Sequence, residues 1–283
     1  MIPAPFEYAR ATSVADALAR LAEGGDEARV IAGGHSLLPL MRLRLARPTL
    51  LVDIGRLDDL RYIEADGDDL VIGALTTHHE LADSHELSEA CPLLARTAAG
   101  IGDPQVRHRG TLGGSIAHAD PASDLPAALL ALDASIVVEG ADGSRDISAA
   151  EFFVAPFTSA LGSGELVTAV RVPRVDGARG AYVKFHRRAQ DWAIVGVAAL
   201  VEPDGGAVGR ASIALTNMGG TPIRAVAVEE ALAGAEGDGA IAAAAARVRE
   251  LDEPPSDEQA SGEFRWHLAE VLIRRAVAAA LEA

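Results

Sequence analysis

Two short segments with paired glycines contain the residues best suited to bind an anion. The first is Ala32-Gly33-Gly34-His35-Ser36, and the second is Thr111-Leu112-Gly113-Gly114-Ser115. Adjacent glycines let the backbone approach a ligand closely and adopt positive φ, so that successive amide N–H groups can point at one anion. A neighbouring hydroxyl adds a donor without any lysine or arginine. Two such loops in one chain therefore indicate a diphosphate held from two sides.

Neither loop carries a better-known nucleotide or hydrolase signature. The chain lacks the G-x-G-x-x-G spacing of a Rossmann dinucleotide site and the G-x-x-x-x-G-K-[ST] sequence of a P-loop. Ser36 and Ser115 lie outside any G-x-S-x-G sequence, which leaves hydrolase chemistry without support. The loops alone therefore leave two interpretations open, a ligand site or a pair of plain turns.

Three further residues each have a structural and a functional interpretation. Asp124 follows the second loop where a helix is predicted to begin, so either Asp124 or Ser123 caps that helix, or the carboxylate accepts hydrogen bonds from ligand hydroxyls. Lys184 is the only lysine among 25 basic residues, which reflects either a base-composition bias or a need for a compact ammonium group. Trp192 lies in a polar turn, where it either fills the core or covers a ligand.

The composition excludes several classes of protein. The chain has 283 residues, of which 49% are hydrophobic, so it can bury a sizeable core. Its net charge of −16 argues against binding a nucleic-acid backbone. Cys91 is the only cysteine, which excludes an internal disulfide, an iron–sulfur cluster and a cysteine-rich zinc site.

The histidines do not form a metal-binding pattern. His35, His78, His79, His108 and His118 are scattered and show no H-E-x-x-H spacing, so no metal site is predicted. His78 and His79 lie at a predicted helix start, where we expect them to be solvated.

The N-terminal sequence gives no sign of targeting. It lacks the basic start and apolar stretch of a signal peptide. No segment approaches the roughly 20 uninterrupted apolar residues of a membrane span. We therefore expect a cytoplasmic protein.

Hydrophobic periodicity and turn residues predict three structural regions. A helix over Ser13–Glu23 between short strands predicts an α/β lobe, and the short strands that follow predict an α+β lobe with a mainly antiparallel sheet. The stretch 173–180 is the predicted linker, after which a long hairpin precedes the last helices. The other predicted helices cover 77–83, 89–99, 124–132, 225–233, 239–251 and 262–281.

Together these residues resemble the flavoprotein (medium) subunits of the molybdenum hydroxylases, especially the carbon monoxide dehydrogenase type. The resemblance runs in order from Pro3 to the final helix, which makes it far more specific than either loop. Its pieces are residues 32–41 (AGGHSLLPLM), 103–107 (DPQVR) with 110–114 (GTLGG), 119–121 (ADP) with Asp124, and the stretch 184–191.

The resemblance implies an α+β fold with two parts. The first is a two-lobed FAD-binding domain of the PCMH/vanillyl-alcohol-oxidase-like type over residues 1–175, with lobe 1 at about 1–55 and lobe 2 at about 56–175. The second is a C-terminal α+β domain over residues 176–283, with an antiparallel sheet and helices, of the carbon monoxide dehydrogenase flavoprotein type.

FAD, held between the two lobes, is the cofactor that the resemblance implies. Both diglycine loops are then expected to contact its pyrophosphate, and Asp124 its hydroxyls. Ile101 would lie against the cofactor, with Val167 and Lys184 near the flavin. The full set of implied cofactor-binding residues is Ala32, Gly33, Gly34, His35, Ser36, Leu37, Ile101, Thr111, Leu112, Gly113, Gly114, Ser115, Asp124, Val167, Lys184 and Trp192.

Two residues depart from the family pattern. Ser115 stands where the family usually has asparagine, and because a hydroxyl can still donate a hydrogen bond, FAD binding should survive. Trp192 stands where members of the carbon monoxide dehydrogenase type tend to have tyrosine. An indole shielding one flavin face would alter its packing and its access to an electron acceptor.

The implied function is electron transfer within a larger oxidoreductase. The chain would take electrons from a small [2Fe-2S] subunit, itself supplied by a large molybdopterin subunit, and pass them to an external acceptor such as a quinone, NAD⁺ or oxygen. No catalytic residue is predicted in this chain. The substrate of the complex stays open among carbon monoxide, N-heterocycles, purines and aldehydes, because another chain would bind it.

Two other functions remain as alternatives. One is a free-standing FAD-dependent oxidoreductase with its own substrate pocket. The other is a non-redox scaffold whose flavin site has decayed, against which the intact diglycine loops, Asp124 and Lys184 argue.

Overall fold

A small parallel sheet begins the chain in the computed structural model, which describes residues 2–282. Its strand order is β1-β3-β2, and both strand pairs are parallel. Ser13 Oγ accepts a hydrogen bond from the backbone N–H of Asp16 and Gly25 ends the first helix at φ 55°, which confirms the predicted cap and stop. The elements of this first lobe are β1 (Glu7–Arg10), α1 (Val14–Gly24), β2 (Ala28–Ile31), α2 (Leu37–Arg42) and β3 (Leu50–Asp53).

A five-stranded antiparallel sheet with the order β4-β5-β10-β6-β7 forms the second lobe. Its strands are β4 (Ile63–Asp66), β5 (Asp69–Gly73), β6 (Ser135–Gly140), β7 (Gly143–Ser148) and β10 (Leu166–Pro173), beside the two-stranded ribbon of β8 (Phe153–Ala155) and β9 (Thr158–Ser159). Its helices are α3 (His78–Asp83), α4 (His85–Ala90), α5 (Pro92–Ala99), α6 (Pro104–Arg107), α7 (Leu112–His118), α8 (Asp124–Ala131) and α9 (Ala149–Phe152). One hydrophobic core joins this sheet to α5, α7 and α8.

One predicted helix of this lobe is two helices. The sequence predicts a single helix over 89–99, but α4 ends at Ala90 and α5 begins at Pro92. A proline lacks the backbone N–H that a helix interior needs, whereas the first helical position leaves that group unpaired in any case. Pro92 therefore starts a helix instead of continuing one.

The C-terminal region is a four-stranded antiparallel sheet with the order β11-β12-β13-β14, followed by helices. The long hairpin that the sequence predicts is the pair β12–β13, and residues 174–178 connect the second lobe to this sheet. The helix predicted over 239–251 is α-helical only to Ala246 and continues as a 3-10 turn. The elements are β11 (Arg179–Phe185), β12 (Val195–Asp204), β13 (Ala207–Thr216), β14 (Ile223–Arg224), α10 (Val226–Leu232), α11 (Gly237–Ala246) and α12 (Gly262–Glu282).

The sheet of the C-terminal region has a covered surface on each side. Along β12, Val197, Ala199 and Val201 belong to the core formed with the C-terminal helices. Ala198 belongs to the core of the second lobe, and Leu200 packs against that core. Successive side chains of a strand point to opposite faces, so β12 is apolar over residues 195–201, where both of its faces are covered.

Gly180 brings the C-terminal sheet close to the second lobe. A Cβ at this position would lie 2.5 Å from Leu93 Cβ and 2.9 Å from the Leu93 backbone N. Arg96 Nη1 also donates a 2.6 Å hydrogen bond to the Gly180 carbonyl. This contact fixes β11, the strand that carries Lys184, against α5 of the second lobe.

Candidate functional site

A cavity of about 570 Å³ lies between the two lobes, and residues 184–192 of the C-terminal region complete its wall. Such a volume is typical of a cofactor or small-molecule site. Every residue in the set of implied cofactor-binding residues lines this cavity except Leu112, whose side chain is buried in the core of the second lobe. The structure therefore brings together residues that are far apart in the sequence.

The first glycine segment offers a run of unused backbone donors. Within residues 2–282, the amide N–H groups from Gly33 to Leu37 have no hydrogen-bond partner. Gly34 has φ 76°, a conformation that residues with a side chain rarely adopt. We call residues 33–37 the free-amide segment. Backbone donors converging on one cavity form a site for an anion such as a phosphate.

Gly33 is required by a contact between the lobes. A Cβ here would lie 1.9 Å from the Arg109 carbonyl oxygen and 3.2 Å from Gly110 Cα. The free-amide segment of the first lobe therefore rests directly on the backbone of the second. Glycine is therefore needed at this position for the contact between the two chain segments, whether or not a ligand also approaches it.

The second glycine segment differs from the predicted loop. Thr111 is the N-cap of α7, so Gly113 and Gly114 lie in the first turn of a helix. A Cβ on Gly113 would lie 2.6 Å from Ala74 Cβ, which explains this glycine by packing. The amide N–H groups of this segment donate within the chain: Leu112 N to Thr76 O (2.9 Å), Gly113 N to Ala74 O (2.9 Å), Gly114 N to Thr111 Oγ1 (3.2 Å) and Ser115 N to Thr111 O (3.0 Å).

A buried ion pair joins the second lobe to the C-terminal sheet at the cavity wall. Lys184 Nζ donates to Asp124 Oδ2 at 2.7 Å, and the two side chains are 7% and 6% exposed. The Tyr182 hydroxyl donates to Asp124 Oδ1 at 2.6 Å. Burial raises the pKa of the Asp124 carboxyl, and the Lys184 ammonium opposes that rise.

Asp124 does not cap the helix that it begins. The N-cap of α8 is Ser123, whose side chain makes no capping hydrogen bond. Instead Ser123 Oγ lies 2.8 Å from Ser115 Oγ and so connects the second glycine segment to Asp124. Of the two interpretations of Asp124, the structure supports a side chain directed to the cavity and excludes the cap.

His78 is the main functional candidate that sequence reasoning missed. We expected a solvated side chain, but the residue is only 5% exposed and lines the cavity. Burial lowers the pKa of this imidazole to about 4, so it is neutral at pH 7. Its covering residues come from the distant segment around Gly110, so no local pattern could have indicated burial.

Other residues of the wall also escaped the sequence prediction. They include Ile54, Leu75, Val106, His118, Phe157, Glu165 and Gln190. Val106 and Gln190 lie in segments that carry the family resemblance but were not predicted as cofactor contacts, and the other five belong to no motif.

Trp192 lies at the cavity wall with 54% of its surface exposed. Hydrogen bonds to the two residues that follow Trp192 in the chain hold this turn in place. Asn217 Nδ2 donates to the Ala193 carbonyl at 2.8 Å, and the buried Arg265 guanidinium donates to the Ile194 carbonyl. The core-filling interpretation is therefore wrong for Trp192, and its position fits a residue that covers a ligand.

The charges on the cavity wall fit a dinucleotide whose diphosphate is held by protein backbone amides and not by cationic side chains. Among the lining residues the permanent cations are Arg29 and Lys184. Arg29 donates to the carbonyls of Asp26 and Ala28, each at 2.7 Å, and Lys184 is paired with Asp124. A diphosphate would therefore depend on the free-amide segment, with Ile101 and Val167 as apolar neighbours for aromatic rings.

The residues that the structure describes contain neither a group of side chains arranged to hold a metal ion nor a helix suited to cross a membrane. No group of three or more histidine, cysteine, aspartate or glutamate side chains in residues 2–282 is arranged to hold a metal ion. None of the helices in that part of the chain combines the length and the apolar character needed to cross a bilayer.

Comparison with protein-family models accounts for nearly all of the chain. Residues 4–175 match the FAD binding domain in molybdopterin dehydrogenase. Residues 180–280 match the CO dehydrogenase flavoprotein C-terminal domain. The two matches meet at the turn that connects the second lobe to the C-terminal sheet.

Individual relatives are similar over their full length. The chain is 40% identical to the carbon monoxide dehydrogenase medium chain of Afipia carboxidovorans, covering 98% of this chain and 97% of that one. It is 42% identical to the 6-hydroxypseudooxynicotine dehydrogenase complex subunit alpha of Paenarthrobacter nicotinovorans, covering 99% and 96%. It is 39% identical to the glyceraldehyde dehydrogenase medium chain of Sulfolobus acidocaldarius, covering 98% of each.

Solved structures share the whole fold. A chain of the Cu,Mo-CO dehydrogenase superposes with a TM-score of 0.96 at 39% identity, covering 100% of this chain and 99% of that one. A chain of quinoline 2-oxidoreductase from Pseudomonas putida 86 superposes with a TM-score of 0.95 at 32% identity, with the same coverage. The predicted α+β fold, a two-lobed FAD-binding part followed by a C-terminal part, is confirmed. The chain belongs to the family of FAD-binding medium subunits of molybdenum hydroxylase-type oxidoreductases.

Proposed function

We propose that this chain is the electron-transfer subunit of a multi-subunit molybdenum hydroxylase. Bound FAD would supply the redox chemistry, taking electrons from a small [2Fe-2S] subunit that a large molybdopterin subunit supplies, and passing them to an external acceptor. The chain's own part is to bind and orient the cofactor. The observation that carries the proposal is one cavity whose wall joins the free-amide segment to the buried Asp124–Lys184 pair.

Each part of the wall suits a different part of a flavin dinucleotide. The free-amide segment donates to the pyrophosphate, and the hydroxyls of Thr111 and Ser115 add to that end of the site. Each Asp124 oxygen already accepts one hydrogen bond and keeps a second lone pair, which can accept from a cofactor hydroxyl. Trp192 covers one side. We assign the FAD-binding domain to residues 1–175 and the C-terminal domain to 176–283.

The chain purified alone tests the cofactor and its role together. We expect a yellow protein with a flavin absorption spectrum that oxidises no substrate of the complex, since the substrate site lies in another subunit. Absorption spectroscopy and an assay with candidate substrates and an artificial acceptor measure both. A colourless protein that takes up no added FAD would refute the proposal. Robust turnover by the isolated chain would favour the free-standing oxidoreductase instead.

An exposed segment beside the cavity is suited to hold a partner subunit. Leu43 and Leu45, just after α2, are 59% and 73% exposed, whereas Leu40 and Ala46 line the cavity. Three arginines of this segment make no ion pair with the rest of residues 2–282, in a chain of net charge −16; they are Arg42, Arg44 and Arg47. Exposed leucines among unpaired cations are typical of a protein interface with an acidic partner. We assign this surface to the [2Fe-2S] subunit, because docking here brings it next to the cofactor cavity.

Replacing both exposed leucines by glutamate should release that subunit. The Leu43→Glu/Leu45→Glu variant places two carboxylates in the apolar part of the interface, so we expect loss of co-purification with the small subunit while FAD stays bound. Val226→Glu on α10, at a side chain that is 52% exposed, is the matched control and should leave the complex intact. Affinity pull-down of the co-expressed subunits, with flavin absorbance, measures the effect. An intact complex in the double variant would refute this interface.

A further inference from the structure

The imidazole of His78 is enclosed at the cavity wall without any hydrogen bond. No protein atom within residues 2–282 bonds to either ring nitrogen, and Nδ1 is fully buried. The ring packs against Gly110, where a Cβ would lie 2.6 Å from both Cδ2 and Nε2 of His78. The His78 backbone N–H also donates to the Gly110 carbonyl at 3.0 Å. The ring nitrogens of this buried side chain therefore keep hydrogen-bonding capacity that the described residues do not use.

The surroundings of the ring determine its protonation and tautomer. The ring is neutral at pH 7 because burial lowers the pKa of His78 to about 4, with His35 and Arg107 acting in the same direction. A neutral imidazole has one N–H and one lone pair. Among backbone groups an enclosed N–H without an acceptor is rarer than an enclosed acceptor without a donor, and by the same argument we assign the lone pair to the buried Nδ1. This assignment places the proton on Nε2.

The free-amide segment and the His78 ring both lie against Gly110. Gly110, against which the His78 ring packs, is also the residue on which Gly33 rests, with 3.2 Å between its Cα and the position of a Cβ at Gly33. The donor of His78 and the amides of residues 33–37 thus border the same end of the cavity.

We propose that His78 is a further cofactor ligand whose Nε2–H donates a hydrogen bond to a diphosphate oxygen of the bound dinucleotide. The assignment rests on the proposed FAD site. In this role His78 adds a side-chain N–H from the second lobe to the hydroxyls of Thr111 and Ser115 and the backbone amides of residues 33–37. The diphosphate is then held from both lobes, by backbone amides on one side and by a side-chain N–H on the other.

The test is cofactor affinity in the full chain, measured by quenching of flavin fluorescence. His78→Leu keeps an apolar side chain of similar bulk and removes the donor, so we expect the FAD dissociation constant to rise about 10-fold or more. His78→Gln keeps an N–H donor and should stay within about threefold of the unsubstituted chain. His79→Leu is the matched control on the same helix; its side chain is 40% exposed, and we expect no change.

Two fragments of the cofactor separate a diphosphate contact from a general loss of structure. ADP contains the diphosphate and riboflavin does not, so His78→Leu should weaken ADP binding, measured calorimetrically, and leave riboflavin binding unchanged. Equal FAD affinity in His78→Leu and the unsubstituted chain would overturn the proposal, as would equal losses for ADP and riboflavin. If His78→Leu does not fold, the test uses His78→Gln, which keeps an N–H donor. A folded His78→Gln chain that has lost all measurable ADP affinity would overturn the proposal. An unsubstituted chain that binds no FAD would instead refute the proposed function.

Discussion

Replacing Gly33 by alanine should abolish FAD binding. The added Cβ would lie 1.9 Å from the Arg109 carbonyl oxygen and 2.8 Å from its carbonyl carbon. Both are backbone atoms, so no side-chain rotation relieves the clash and the two chain segments must separate. Such overpacking costs about 1–3 kcal/mol of unfolding free energy. The separation also displaces the free-amide segment, and losing several hydrogen bonds to a charged ligand weakens binding by more than about 100-fold. Urea unfolding and fluorescence titration with FAD measure the two effects.

Gly25→Ala is the matched control for this prediction. Gly25 has φ 55° at the end of α1, and no atom lies within 4 Å of the position of its Cβ. The substitution therefore adds backbone strain of about 1–3 kcal/mol without any clash. We expect a similar loss of stability and unchanged FAD affinity. Gly33→Ala binding FAD as tightly as Gly25→Ala would contradict the role of the contact between the lobes.

The two glycine pairs show that a sequence can predict where a site lies without predicting the contacts that its residues make. The paired glycines of each segment predicted a close approach between the backbone and another group, either a ligand or the protein itself. Both pairs lie on the cavity wall. What approaches each glycine depends on the fold. Gly33 meets the backbone of Arg109, and Gly113 meets Ala74. Partners so distant in the sequence leave no local signal, so the sequence predicted where each glycine pair lies and not the contact that requires it.

Helix ends were predictable where the determinants are local. Ser13 and Gly25 lie within the chain segment that they cap, so the start and stop of α1 followed from the residue types. His78 shows the opposite case. Its place at the start of α3 was predicted, but its burial depends on Gly110, which another part of the second lobe brings against the ring. Local sequence therefore predicted the backbone and not the surroundings of the side chain.

Removing one member of the Asp124–Lys184 pair should be strongly destabilising. Asp124→Asn leaves a buried ammonium without its carboxylate, and Lys184→Met leaves a buried carboxylate without its cation. An unpaired charge at a side chain less than 10% exposed costs about 3–5 kcal/mol of unfolding free energy. Urea unfolding of each variant measures the loss. Because both side chains line the cavity, we also expect weaker FAD binding in both variants.

The double variant Asp124→Asn/Lys184→Met separates the charge from the packing. It contains no buried charge at this site, and the Tyr182 hydroxyl can still donate to the amide oxygen at position 124. The double variant should therefore be more stable than either single variant, with a coupling free energy of at least about 2 kcal/mol. Additive losses would mean that the ion pair has no energetic significance and that each side chain acts by packing alone.

The pH dependence of Lys184→Met identifies the charge responsible. Burial already raises the pKa of Asp124, and removing the ammonium that opposes this rise takes the folded-state pKa higher still. In the unfolded chain the pKa stays near about 3.9. A carboxyl with a raised folded pKa stabilises the fold below its unfolded pKa, and that stability is lost as pH rises through the folded pKa. The stability deficit of Lys184→Met relative to the unsubstituted chain should therefore grow as the pH rises from the unfolded-state pKa toward the raised folded-state pKa of Asp124 in the variant. A deficit that stays constant over that range would show that the lost lysine stabilised the fold by its packing, because only an unpaired carboxylate at position 124 makes the deficit depend on pH in this direction.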